Sequence, residues 1–123
     1  MIAAYALTAL LGLLTVFQLA LIFGAPLGRF AWGGTHRILP TRLRIGSAVS
    51  VVIYAVIALL ALDCAGVIDL VPDAVSTVAM WVVFAYFVLG IAMNGISRSK
   101  PERYTMAPLS ALLAALSLLV VLS

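Results

Sequence analysis

A chain of 123 residues with 66% hydrophobic and only 9% charged residues departs far from a soluble domain, in which about a quarter of residues are charged. Its net charge of +3 (seven Lys and Arg against four Asp and Glu) accompanies a mean hydropathy of +1.29. Water is excluded as the solvent for most of its surface, and a disordered polar chain is excluded with it.

In chain order, the first hydrophobic window covers residues 2–23, long enough for the ~30 Å hydrocarbon core of a bilayer. It has no basic leader and is longer than the apolar part of a signal peptide. Phe23 also stands where a small residue is needed before a cut after Ala25, so a removable signal peptide is not expected. Tyr5, Thr8, Gly12 and Thr15 form a small and polar stripe along this span, and Gln18 lies near its end. A second window, 43–62, carries Ser47, Ser50, Tyr54, Ala58, Ala61 and, just beyond it, Ala65 on one face. The third, 72–94, carries Ser76, Ala79, Gly90 and Asn94, with Ser97 just beyond. The fourth, 104–122, carries Ala107, Ser110, Ala114 and Ser117. Helices in lipid have no hydrophobic drive to associate, so their interfaces use small residues for close approach and hydroxyls as glue. Four such stripes predict an all-α, single-domain bundle of four transmembrane helices over residues 1–123, with a partly structured first loop.

The helix ends carry local signals too. Thr41 is expected to cap the second helix, and Ser99 with Glu102 fits a capping box for the fourth, with Pro101 tolerated in its first turn. Pro108 would free the carbonyl of Tyr104 and bend that helix. Gly24, Arg29 and Pro40 echo Gly95, Arg98 and Pro101, as in a parallel repeat of two hairpins. Opposite the polar stripe of the third span, Trp81, Ala85, Val88 and Ala92 form a face for lipid or for a second protomer.

Charge sets the expected orientation. All seven basic residues lie in two loops, Arg29, Arg37, Arg42 and Arg44 in the first and Arg98, Lys100 and Arg103 in the third, whereas the middle loop has Asp63, Asp69 and Asp73 and no base. The positive-inside rule then puts both basic loops in the cytoplasm and both termini outside. The pI of about 9.5 is met by anionic lipid headgroups, and nucleic acid is not expected as a partner.

The first loop is the segment richest in chemistry. It is too long and apolar for a plain linker, and Pro26 is expected to open a helical turn through Phe30 and Trp32 that ends at Gly33 and Gly34. The Gly33 and Gly34 amides can form an anion-binding nest, with His36, Arg37 and Arg44 as ligand contacts, Arg42 as a lipid anchor and Trp32 as an apolar wall. Gln18 and Asn94, intramembrane amides costly to bury unpaired, would bond to each other or to the loop backbone and form the floor. A plain topology signal resting on lipid phosphates is the competing reading.

No catalytic residue, cofactor or metal is expected. His36 is the only histidine, Cys64 is the only cysteine and excludes an internal disulfide, and no ionisable residue lies deep in a span as a proton-coupled carrier requires. Small multidrug exporters need a carboxylate in the first helix, which is absent. Four-helix fluoride channels share a superficial likeness from Gly24 to Arg29 but need a polar break in the third helix, and Ala79–Val88 has none. The block Ala31-Trp32-Gly33-Gly34, His36, Leu39-Pro40, Leu43-Arg44 and Gly46-Ser47 resembles small uncharacterised four-span bacterial membrane proteins, which implies a bacterial inner membrane and no assigned activity.

The expected function is a non-enzymatic accessory or ligand-binding membrane protein acting through its basic loop on anionic lipid headgroups, a larger membrane complex or a second copy of itself. The alternative is a small-solute or lipid transporter working as a homodimer. The orientation is directly testable: a reporter fused after Ser123 should be active only if it matures outside the cytoplasm, and a cytoplasmic C-terminus would sink the charge argument.

Overall fold

The computed structural model describes all 123 residues, and every regular element is helical. Four long helices, α1 (Ile2–Ile22), α2 (Thr41–Cys64), α3 (Asp73–Gly95) and α4 (Lys100–Leu122), are each long and apolar enough to cross a membrane. The chain is therefore a multi-pass membrane protein built as a four-helix bundle. Only 23 residues are buried, while large apolar side chains such as Leu13, Val52, Val82, Leu89 and Leu119 stand on the outside. An apolar exterior around a small core is stable only where the solvent itself is apolar.

The helix bounds depart from the hydropathy windows mainly at polar turns. α2 extends two residues beyond its window at each end, and α4 begins at Lys100 rather than 104. A hydropathy window cannot see a polar helical turn, whereas Pro101 is well suited to the first turn of a helix. α4 then continues through Pro108 without a break.

The ends of α1 and α2 share one device. Gly24 (φ 91°) and Gly66 (φ 80°) adopt the left-handed conformation that favours glycine. The Ala25 amide then bonds to Ala20 O and the Val67 amide to Leu62 O, closing two Schellman motifs. α3 ends differently, running through Gly95 to Ile96 at φ −96°, so the echo between the two hairpins does not extend to their glycines. The expected Thr41 cap is also absent: Pro40 holds the cap position, and its carbonyl accepts from the Leu43 and Arg44 amides.

α1 packs most closely on α2 and α3 on α4, and the two hairpins meet through α2 with α3 and α1 with α4. The small-residue faces expected for α2 and α4 do lie inward, with Ser47, Ala61, Ser110, Ala114 and Ser117 buried. The stripe expected for α1 does not. Tyr5 and Gly12 are exposed, and the buried face is Ala4, Leu7, Leu11, Leu14, Gln18 and Leu21. The reason is local: Thr8 and Thr15 donate their hydroxyls to Ala4 O (2.8 Å) and Leu11 O (2.9 Å) in their own helix and need no partner across an interface.

The acidic end is closed by Asp63, which is 3% exposed and accepts hydrogen bonds from the Leu70 (2.6 Å) and Val71 (3.0 Å) amides. One carboxylate thus satisfies two loop amides and fixes the entry into α3.

Ala114 is buried in the core, whereas Ala85 points outward. Ala114→Leu should overpack the bundle and cost about 1–3 kcal/mol. Thermal melting in detergent is expected to show a lowered Tm for this variant and a wild-type Tm for Ala85→Leu.

Candidate functional site

The site is built by the first loop, residues 23–40, folding back over the end of the bundle that carries the basic residues. The loop contains two 3-10 turns, Gly28–Phe30 and Trp32–Gly34, so the expected helical turn starts at Gly28 rather than Pro26. It is closed on itself where the Gly28 amide donates to Arg37 O at 2.8 Å. Gly28 is buried, and a Cβ there would overlap His36 O, so the two arms of the loop can approach only with glycine at this position.

Three contacts then pin the loop to the helices. The Trp32 indole Nε1 donates to Ser47 Oγ on α2 (3.2 Å), and its ring lies so close to Gly46 that a Cβ there would stand 2.8 Å from it. The Ser99 hydroxyl at the start of α4 donates to Arg29 O, and Ser99 fills the space beside Gly34. The Gly33 amide donates to Glu102 Oε2 at 3.2 Å. Trp32 itself has φ 53°, an uncommon conformation for a side chain of its size. Strain of this kind persists only where surrounding contacts over-determine it.

These contacts replace the expected capping box. Neither Ser99 nor Glu102 makes a side-chain cap on α4; both reach the loop instead. The reason is that Gly33 and Gly34, both at positive φ, bring backbone close enough to compete for them. The anion-seeking amide of Gly33 has found an anion, but it is a carboxylate of the same chain. The Gly34 amide donates to Ala31 O at 2.9 Å.

Beneath the loop, within the bundle, lies a cavity of about 180 Å3. Phe30, Ala31 and Trp32 roof it, and its polar lining comes from Gln18, Tyr54, Asn94, Ser110 and Glu102. Gln18 Nε2 donates to the Tyr54 hydroxyl at a long 3.5 Å, and Asn94 Nδ2 donates to Ser110 Oγ at 2.9 Å. The two amides therefore do not bond to each other or to the loop backbone. Each finds a hydroxyl on the helix beside it. Gln18 is 8% exposed and its Oε1 has no partner.

The sequence-derived site residues divide accordingly. Trp32, Gln18 and Asn94 are brought together around the cavity, and Gly33 reaches it through Glu102. The basic residues stay outside. Arg37 is exposed, His36 Nδ1 shares a hydrogen bond with Thr35 Oγ1 (3.1 Å), and Arg44 Nε donates to Leu39 O (2.8 Å) while its head lies against Gly24. Glu102, Tyr54 and Ser110 were not singled out as site residues by their sequence. One signal was present for Glu102: it is the only acid at the basic end of the molecule.

No family model, curated protein or solved structure matches the chain, so the chemistry of the site rests on its own residues.

The pinning of the loop is testable through its glycines. Gly34→Ala drives a Cβ into Ser99, whereas Gly33→Ala meets nothing within 4 Å and adds only backbone strain. Limited trypsin digestion in detergent should cut after Arg29 and Arg37 fastest in Gly34→Ala, more slowly in Gly33→Ala and slowest in the wild type.

Proposed function

We propose that the protein is a non-enzymatic, small-ligand-binding protein of the bacterial inner membrane that acts through its basic first loop. The observation that carries this reading is the loop itself, bonded to α2 and α4 as a roof over a polar-lined cavity. A linker needed only for topology would have no use for a strained tryptophan and a buried carboxylate in its attachment.

The same loop faces the cytoplasm in this reading, from the concentration of bases at one end, and both termini lie outside. Arg29 and Arg37 are exposed there, with Arg42 in the first turn of α2, Arg98 in the neighbouring loop and Lys100 at the start of α4. They are suited to the phosphates of anionic lipids, each such contact near a charged surface contributing about 1 kcal/mol. Arg44 belongs to the support of the loop through Leu39 O, and its terminal nitrogens remain available to a phosphate at the same level. His36 is engaged with Thr35 and Glu102 with Gly33, so binding rather than turnover is assigned to the loop.

Native mass spectrometry in a defined mixture of phosphatidylglycerol and phosphatidylethanolamine tests the loop's part in this. The double variant Arg37→Ala, Arg42→Ala should retain several-fold less phosphatidylglycerol than the wild type. Equal retention by the two proteins would overturn the assignment of lipid contact to the loop.

A further inference from the structure

The cavity has a polarity that its size alone would not suggest. Glu102 is 6% exposed, and its carboxylate receives one hydrogen bond from the protein, the Gly33 amide on Oε2. Oε1 receives none. No Lys or Arg lines the cavity, so beyond the Gly33 amide and the helix start no side chain of the wall offers this carboxylate a counter-charge. Arg98 borders a second, outer recess that shares Trp32, Asn94 and Glu102 with the cavity, and its side chain is exposed to solvent.

The two amides of the wall add unpaired acceptors to the Glu102 carboxylate. One N–H of Gln18 and one of Asn94 are committed to Tyr54 and Ser110, and neither carbonyl oxygen receives a hydrogen bond from the protein. The hydroxyls of Tyr54 and Ser110 keep their own protons, but the only charged group in the lining is an acceptor, and Gln18 Oε1 adds a buried acceptor without a donor, which is costly. The apolar part of the lining is largely aromatic, with Phe17, Phe30, Trp32, Tyr54, Tyr86 and Phe87 around the same space. Ring faces attract cations, Trp most strongly, and more so where water is excluded.

Carboxylate, unpaired carbonyl and aromatic walls point to one ligand chemistry. We infer that the cavity beneath the first loop binds a small organic monocation, an amine or quaternary ammonium, with Glu102 as its counter-charge and Trp32 with its aromatic neighbours as its wall. This rests on the ligand-binding reading above but is independent of orientation and of lipid contact. The volume limits the guest to a small one, since drug-sized ligands occupy pockets of about 300 Å3 or more. Multivalent metal ions are disfavoured by the same wall, which offers a single carboxylate. Trp32, Asn94 and Glu102 are common to the cavity and the outer recess, so the carboxylate that pins the loop stands on the boundary an entering cation would cross.

The test uses the full chain in detergent with Trp81→Phe, which leaves Trp32 as the only tryptophan. Choline and its uncharged isostere, with carbon in place of the quaternary nitrogen, are titrated against Trp32 fluorescence. Choline should give a saturable change with an affinity about tenfold or more above that of the isostere, the advantage expected of a charge-assisted contact. Glu102→Gln, which keeps an acceptor for the Gly33 amide, should abolish the preference by weakening choline and leaving the isostere unchanged. If that variant fails to fold, the ratio of the two ligands on the unmutated site decides alone. Equal binding of both ligands, or tighter binding of the isostere, would overturn the cation inference while leaving a ligand-binding cavity. No saturable change with either would overturn both.

Discussion

The hydrogen bond between the Gly33 amide and the Glu102 carboxylate ties together the two halves of this molecule. One partner belongs to the loop between α1 and α2, the other to the first turn of α4, and the two lie 69 positions apart in the chain. A carboxylate buried at the basic end would be costly on its own. It is tolerated because it lies in the first turn of a helix, where the macrodipole favours negative charge, and because a backbone amide is aimed at it. The loop, in turn, owes its place over the bundle to this contact and to its neighbours, Ser99 on Arg29 O and Trp32 on Ser47.

The loop is built to make that contact at a conformational cost. Trp32 at φ 53° and two successive glycines at positive φ form a backbone that an ordinary sequence would avoid. Left-handed geometry costs a residue other than glycine roughly 1–2 kcal/mol. The cost is offset by an indole lying against Gly46 and bonded to Ser47, in a segment that also shields the cavity below. The glycines have different duties within this arrangement. Gly28 and Gly46 provide room for close approach, while Gly34 combines room with an unusual dihedral.

The helix bundle beneath follows membrane rules rather than aqueous ones. Its hydroxyls are mostly self-satisfied, as in Thr8, Thr15 and Ser117, each bonded to a carbonyl one turn back in its own helix. Such residues can face lipid or a neighbouring helix with little difference, which is why the polar stripe of α1 misidentified its buried face. Amides cannot satisfy themselves in that way. Gln18 and Asn94 therefore had to find partners on other helices, and their search places Tyr54 and Ser110 beside the cavity.

Composition and periodicity by themselves determined that the chain is all-helical, has four spans capable of crossing a membrane and gathers its bases around two helix connections, though Arg42, Arg44, Lys100 and Arg103 fall in the first turns of α2 and α4 rather than in loops. These properties depend on averages over a helix length, and averages survive ignorance of any one contact. The inward faces of α2 and α4 were legible for the same reason, since small residues recur there over several turns. Tertiary structure alone decided what Ser99 and Glu102 do. Their spacing satisfies a capping box, but a cap competes with any donor or acceptor that the fold brings near, and the distant backbone of Arg29 and Gly33 won. It likewise decided that the Gly33 amide meets a carboxylate of its own chain and that Trp32, Gln18 and Asn94 share one cavity with that carboxylate. Such contacts join residues tens of positions apart, and no local pattern encodes which of several equally suitable partners the folded chain will bring within hydrogen-bond reach.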